Sequence, residues 1–136
     1  MRARLGRPLL AVAVLAATAA VVAGCGAGPT RVEITFRHSH FVPGRITVPA
    51  DRPVQILLRN EDPIDHEWIV GDPALHDRHR TGTEPVHDAR PTEVTVPARS
   101  RRTTTITFPA GTQWTFVCHL PGHEAYGMVG TVVVEG

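Results

Sequence analysis

The sequence predicts an all-β sandwich of about eight short strands behind a removable leader, and three observations predict it. Short apolar-alternating runs recur from Arg31 to the C-terminus, each closed by turn residues. Twelve Gly and 12 Pro in 136 residues supply many turns, and the aromatic content is only 5%. No stretch after the leader sustains the three-to-four spacing of an amphipathic helix. The 42% hydrophobic content argues against disorder, and the length suits one domain.

In chain order, the first element is an address. Leu9 to Val22 is nearly unbroken apolar sequence behind Arg2, Arg4 and Arg7. It is too short to cross about 30 Å of hydrocarbon as a stable helix, and a charged start before a short apolar run reads as an export signal. The run ends Val22-Ala23-Gly24-Cys25, which resembles the lipobox of bacterial lipoproteins. That resemblance implies a signal peptide over 1–24, lipid on Cys25, a tether over 25–30 and an extracytoplasmic, membrane-anchored protein. No paired arginines are present, which favours general secretion over the twin-arginine route.

The strands follow from Arg31. Arg31–Phe36 alternates cleanly, Arg45–Val48 follows Pro43-Gly44, and Val54–Leu58 follows Pro53. Glu67–Val70, Glu93–Val96, Thr103–Phe108 and Trp114–Val117 continue the series, and Val129–Glu135 closes it. Residues 71–92 break the rhythm with prolines, glycines and charges, and read as a long irregular surface loop within a domain of 31–136.

Charge and cysteine count narrow the function. The nominal +1 includes three leader arginines; without residues 1–24 the chain keeps 11 Arg against 13 acidic residues, or −2. A faintly acidic domain does not look like a nucleic-acid binder, which normally carries a basic patch. Exported chains usually pair their thiols. With Cys25 assigned to lipid, Cys118 has no cysteine to pair with, and a lone thiol there reads as a ligand.

Cys118-His-Leu-Pro-Gly-His123-Glu-Ala-Tyr-Gly-Met128 carries the chemistry. It sets a thiolate, an imidazole and a thioether at C-x4-H-x4-M spacing between two strands, a soft donor set suited to copper. Pro121-Gly122 folds the loop back and Gly127 permits a tight backbone before Met128. A trigonal copper site needs a second histidine, and His66, at the start of a strand after Asn60-Glu-Asp-Pro63, is the natural candidate.

On these residues the chain resembles the cupredoxins, the small blue-copper proteins that include plastocyanin, auracyanin and rusticyanin. The resemblance covers about 31–136 apart from 71–92. It rests on Phe41-Val-Pro-Gly-Arg-Ile-Thr-Val, the Asn60-Glu-Asp turn and Pro109-Ala-Gly-x-x-Trp-x-Phe-x-Cys118, besides the Cys-to-Met string. It implies a Greek-key β-sandwich holding one type 1 copper, with His66, Cys118 and His123 equatorial and Met128 axial. It implies one-electron transfer to a redox partner protein, respiratory or a copper enzyme, without a small-molecule substrate or turnover. His123 is then the partly exposed ligand, flanked by Leu120, Pro121 and Tyr126 as an apolar docking patch.

Other histidines remain. His119 should face away from Cys118 and reads as a surface residue; His38 and His40 read as a strand-end surface pair. His76, His79 and His87 fall within twelve residues of the irregular segment, as a solvated cluster or a second metal site for copper or zinc. A second site would favour copper storage, delivery or resistance over electron transfer. A copper enzyme would need an open coordination position, which the His66, Cys118, His123 and Met128 set does not leave.

Overall fold

The computed structural model describes residues 28–85, 88 and 90–136. The leader, Cys25 and His87 lie outside the described residues. Among the described residues nine strands form two sheets: β1 (Thr30–Arg37), β2 (His40–Val42), β3 (Arg45–Pro49), β4 (Pro53–Asn60), β5 (His66–Gly71), β6 (Glu93–Val96), β7 (Arg101–Thr107), β8 (Gln113–Val117) and β9 (Val129–Glu135). One sheet runs β2-β1-β4-β7 and the other β3-β9-β8-β5-β6. The pairs β1–β4 and β3–β9 are parallel and the rest antiparallel. Neighbours so far apart in sequence carry the chain back and forth between sheets in a Greek-key winding.

Alternation fixes which face is inside. On β4, Val54, Ile56, Leu58 and Asn60 are buried while the residues between them are not, and β1 turns Ile34 and Phe36 inward in register with Leu58 and Asn60. Each fully buried Ile, Leu or Phe contributes about 1.5–3 kcal/mol. Trp68, Val70, Phe108, Phe116 and Val132 complete the layer between the sheets, with Cys118 and Met128 in the same cluster. Edge-to-face contacts of Phe36 with Phe41 (5.1 Å), Phe41 with Phe116 (5.0 Å) and Phe36 with His66 (5.9 Å) run from the core to the site.

Two elements differ from the sequence expectation. Strand β2 is extra; its three residues follow His38 and Ser39, which hold φ of 53° and 56° and turn the chain back on β1. The two histidines are exposed, as expected of a surface pair, but they share no extended run: His38 lies in the turn and His40 opens β2. Thr30, placed in the tether, already belongs to β1.

The larger correction is in 71–92, where Pro73–Thr81 form a helix, α1. Its ends carry ordinary signals: the Asp72 carboxylate accepts from the Leu75 N–H at 2.8 Å, Pro73 opens the first turn, and Gly82 at φ 67° ends it. The helix has no apolar period because its inner face is made of Leu75, His76 and His79. Histidines replace the aliphatic side chains by which an amphipathic helix is recognised.

Candidate metal centre

The site sits where β8 ends and β9 begins. Cys118 follows Val117 directly, and ten residues later Met128 leads into β9. The connecting loop is closed on itself. The Cys118 N–H donates to Met128 O (3.2 Å), His123 N–H to Leu120 O (3.0 Å), Gly127 N–H to Glu124 O (2.9 Å) and Met128 N–H to His123 O (3.1 Å). Gly122 (φ 86°) and Gly127 (φ 93°) occupy the left-handed conformations these turns need, as the sequence anticipates. The result points the side chain of His123 back at Cys118, with Nδ1 3.2 Å from Sγ.

His66 arrives from the other direction as the first residue of β5, and its Nδ1 lies 3.1 Å from that of His123. One ligand atom from each of His66, Cys118 and His123 lies within 4.8 Å of the others. Among the described residues no other group of three His, Cys, Asp or Glu side chains converges this closely. His66 and Cys118 are fully buried and His123 is partly exposed. Two imidazoles and one sulfur at this spacing fit a soft or borderline ion such as copper. Met128, buried at the loop's end, lies in the same hydrophobic core cluster as Cys118.

The turn ahead of His66 is locked by Asn60. Its Nδ2 donates to Ile64 O (2.8 Å), Val96 O (3.0 Å) and Pro97 O (3.1 Å), while its Oδ1 accepts from Asp62 N–H (2.9 Å). Asp62 in turn accepts from the N–H groups of His38 and Ser39, both at 2.8 Å, and from His66 Nε2 at 2.9 Å. The last contact fixes the His66 tautomer: a proton on Nε2 leaves Nδ1 bare and aimed at Cys118 and His123. Asp62 is the functional residue that sequence reasoning passed over. It stands inside the quoted Asn60-Glu-Asp motif, but nothing local says that its carboxylate turns toward His66.

Burial and hydrogen bonding shift the titratable groups around the site. Burial works against the Asp62 carboxylate, yet the Ser39 and His38 N–H groups and His66 outweigh it and hold its pKa below the usual value. Burial, and then His66 beside it, push His123 down. Burial likewise pushes the Cys118 thiol up, opposed by the Glu67 N–H, which donates to Sγ at 3.3 Å. A buried thiol of this kind becomes a thiolate when a metal replaces its proton.

A family profile of the cupredoxin-like domain matches residues 8–134. The chain belongs to the cupredoxin-like family. Among relatives, it is 26% identical to the copper-resistant cuproprotein CopI of Pseudomonas aeruginosa over 76% of this chain and 75% of that one. It is 32% identical to the protein of the same name from Rubrivivax gelatinosus, over 70% of this chain and 59% of that one. Among solved structures, the reduced auracyanin of Roseiflexus castenholzii superimposes with a TM-score of 0.66 at 21% identity, covering 79% of this cupredoxin and 98% of auracyanin.

The remaining histidines of the cupredoxin are placed differently from the expectation. His119 is not at the surface: its side chain is 6% exposed and turns onto α1. His119 Nε2 lies 3.0 Å from His76 Nδ1, and its ring stacks on His79 with centroids 5.1 Å apart and planes at 18°. Burial first, and His76 second, push the His119 pKa down to about 4. His76 and His79 are therefore buried rather than solvated, and they cluster with His119; their expected third member, His87, lies outside the described residues. Of the anticipated docking patch, Pro121 is exposed and Tyr126 is 76% exposed, whereas Leu120 is half-buried and packs against the core.

Proposed function

We propose that this cupredoxin is an extracytoplasmic type 1 copper protein that carries single electrons and does not turn over a substrate. The observation that supports this most is the convergence of His66 Nδ1, Cys118 Sγ and His123 Nδ1 on one point at the end of the sandwich. When bound, copper would supply one-electron Cu(I)/Cu(II) cycling there, and the Met128 thioether would be its weak fourth donor. The chain's part is to hold the ligands. Asp62 orients His66, the Glu67 N–H donates to the sulfur, and the closed 118–128 loop limits ligand movement between oxidation states. Four protein donors leave no position for a substrate.

In this reading His123, the partly exposed ligand, is the electron exit, and Pro121 and Tyr126 of the same loop meet a respiratory or copper-enzyme partner. Lipid on Cys25 keeps the domain at the membrane surface.

A second reading is copper resistance, storage or delivery, favoured by the similarity to CopI and by the histidines gathered on α1 and β8. The visible spectrum of the purified copper form, taken with metal content per chain, tests the type 1 assignment. An intense band near ~600 nm, bleached by a reductant and restored by an oxidant, supports it; a colourless Cu(II) form removes it. Loss of copper tolerance in cells lacking the protein, with respiration intact, would favour the resistance reading.

A further inference from the structure

We propose that His76 and His119 are the ligands of a second copper site, specific for Cu(I), on the side of Cys118 away from the first. The inference holds whether or not the first site carries electrons. It starts from which nitrogens are committed. His76 Nε2 faces the Thr115 carbonyl at 3.2 Å, and a carbonyl only accepts, so that nitrogen carries the proton and Nδ1 is bare. His119 Nδ1 faces the Glu124 carboxylate at 3.6 Å. The inner nitrogens, His76 Nδ1 and His119 Nε2, meet at 3.0 Å.

Two neutral imidazoles facing each other this way share one proton, which His119 Nε2 donates to His76 Nδ1. Moving that proton to His119 Nδ1, toward Glu124, leaves two lone pairs on one point and creates no charge. His76 keeps its outer nitrogen bonded to Thr115 O, the arrangement that orients metal-bound histidines, and His119 Nδ1 faces the Glu124 carboxylate 3.6 Å away. His79 does not join the pair. Its Nδ1 donates to Leu75 O (2.9 Å), and its ring lies flat on His119, setting that ring's orientation.

The charge balance selects the ion. Arg80 clasps Glu124 through Nη2 at 2.6 Å and Nε at 3.0 Å, cancelling its carboxylate. A site made of two neutral donors and a neutralised acid suits a univalent ion better than a divalent one. Zn(II) in proteins takes four ligands, whereas Cu(I) is satisfied by two imidazoles. The site is approached from the His119 side: His119, with His79, Leu120, Gly122 and Glu124, lines a pocket open to solvent, and His76 lies buried behind it. The sequence expectation of His76, His79 and His87 is thereby revised: His119, far away in the chain, replaces His87 as the partner of His76.

The test uses the full chain, titrated anaerobically with Cu(I) against a competing chelator. His76→Gln and His119→Gln should each bind one Cu(I) fewer than the unsubstituted protein, with the first site's visible band after oxidation serving as the control for folding. Equal copper numbers in all three proteins overturn the assignment. Should a substitution abolish folding, ¹⁵N-histidine spectra of the unsubstituted protein decide, with Ag(I) as a redox-silent probe. Ag(I) should shift His76 Nδ1 and His119 Nε2 together, and resonances that stay in place reject the site.

Discussion

Asp62 Oδ2 lies 2.9 Å from Nε2 of His66, so a carboxylate is bonded to the imidazole that opens β5 and helps form the metal centre. A carboxylate behind a histidine ligand raises its basicity and fixes its ring. Asp62→Asn removes the charge and leaves the amide facing two N–H donors it cannot satisfy. We expect copper affinity to fall roughly 10–100-fold and the reduction potential to rise, because Cu(II) gains more from the charge than Cu(I). Competition with a chelator and a redox titration measure both; if neither changes, the carboxylate only braces the turn.

Met128 is fully buried beside Cys118 in the core cluster. Met128→Gln should keep copper and lower the potential, since a harder oxygen donor favours Cu(II). An unchanged potential would take Met128 out of the coordination sphere and return it to a packing role.

Gly130, the second residue of β9, has no room for a side chain. A Cβ there would collide with the Phe116 ring and come within 2.8 Å of Gly44 O. Gly130→Ala should cost about 1–3 kcal/mol by overpacking, read from urea unfolding. Because Phe116 lies two residues before Cys118, the visible band should also shift. Full stability in this variant would mean the ring moves aside without penalty.

Glu84 ties the chain after α1 back to the helix, accepting from Arg78 Nε at 2.8 Å. That hydrogen bond, opposed by burial, lowers the Glu84 pKa below its ordinary value. A carboxyl depressed in the folded state stabilises it above the unfolded-state pKa, and this contribution is lost as pH falls through the folded value. The stability of the unsubstituted protein should therefore fall more steeply below about pH 4.3 than that of Glu84→Gln. Parallel acid limbs in urea midpoints against pH would contradict the linkage.

The candidate metal centre was largely legible because most of its residues are local. Cys118, His123 and Met128 share one loop, and their types and spacing carry the chemistry wherever the loop sits. His66 required only the expectation that a strand follows a turn. Strand alternation was legible for the same reason, since a period of two is written directly in the residues.

What escaped depends on contacts between distant segments. Helix α1 hid because its buried face is histidine, and burial of a polar ring is visible only when its partners are known. His119 looked like a surface residue beside Cys118 until α1 packed over it, bringing His76 from 43 positions earlier to within hydrogen-bonding distance. Asp62 was in plain view but had no role until the turn curled it beneath His66. By itself the sequence determined the sheet-forming pattern and a soft donor set on one loop. The tertiary structure alone decided what each ring nitrogen faces, because a hydrogen-bond partner across the fold sets a tautomer and no local residue pattern does.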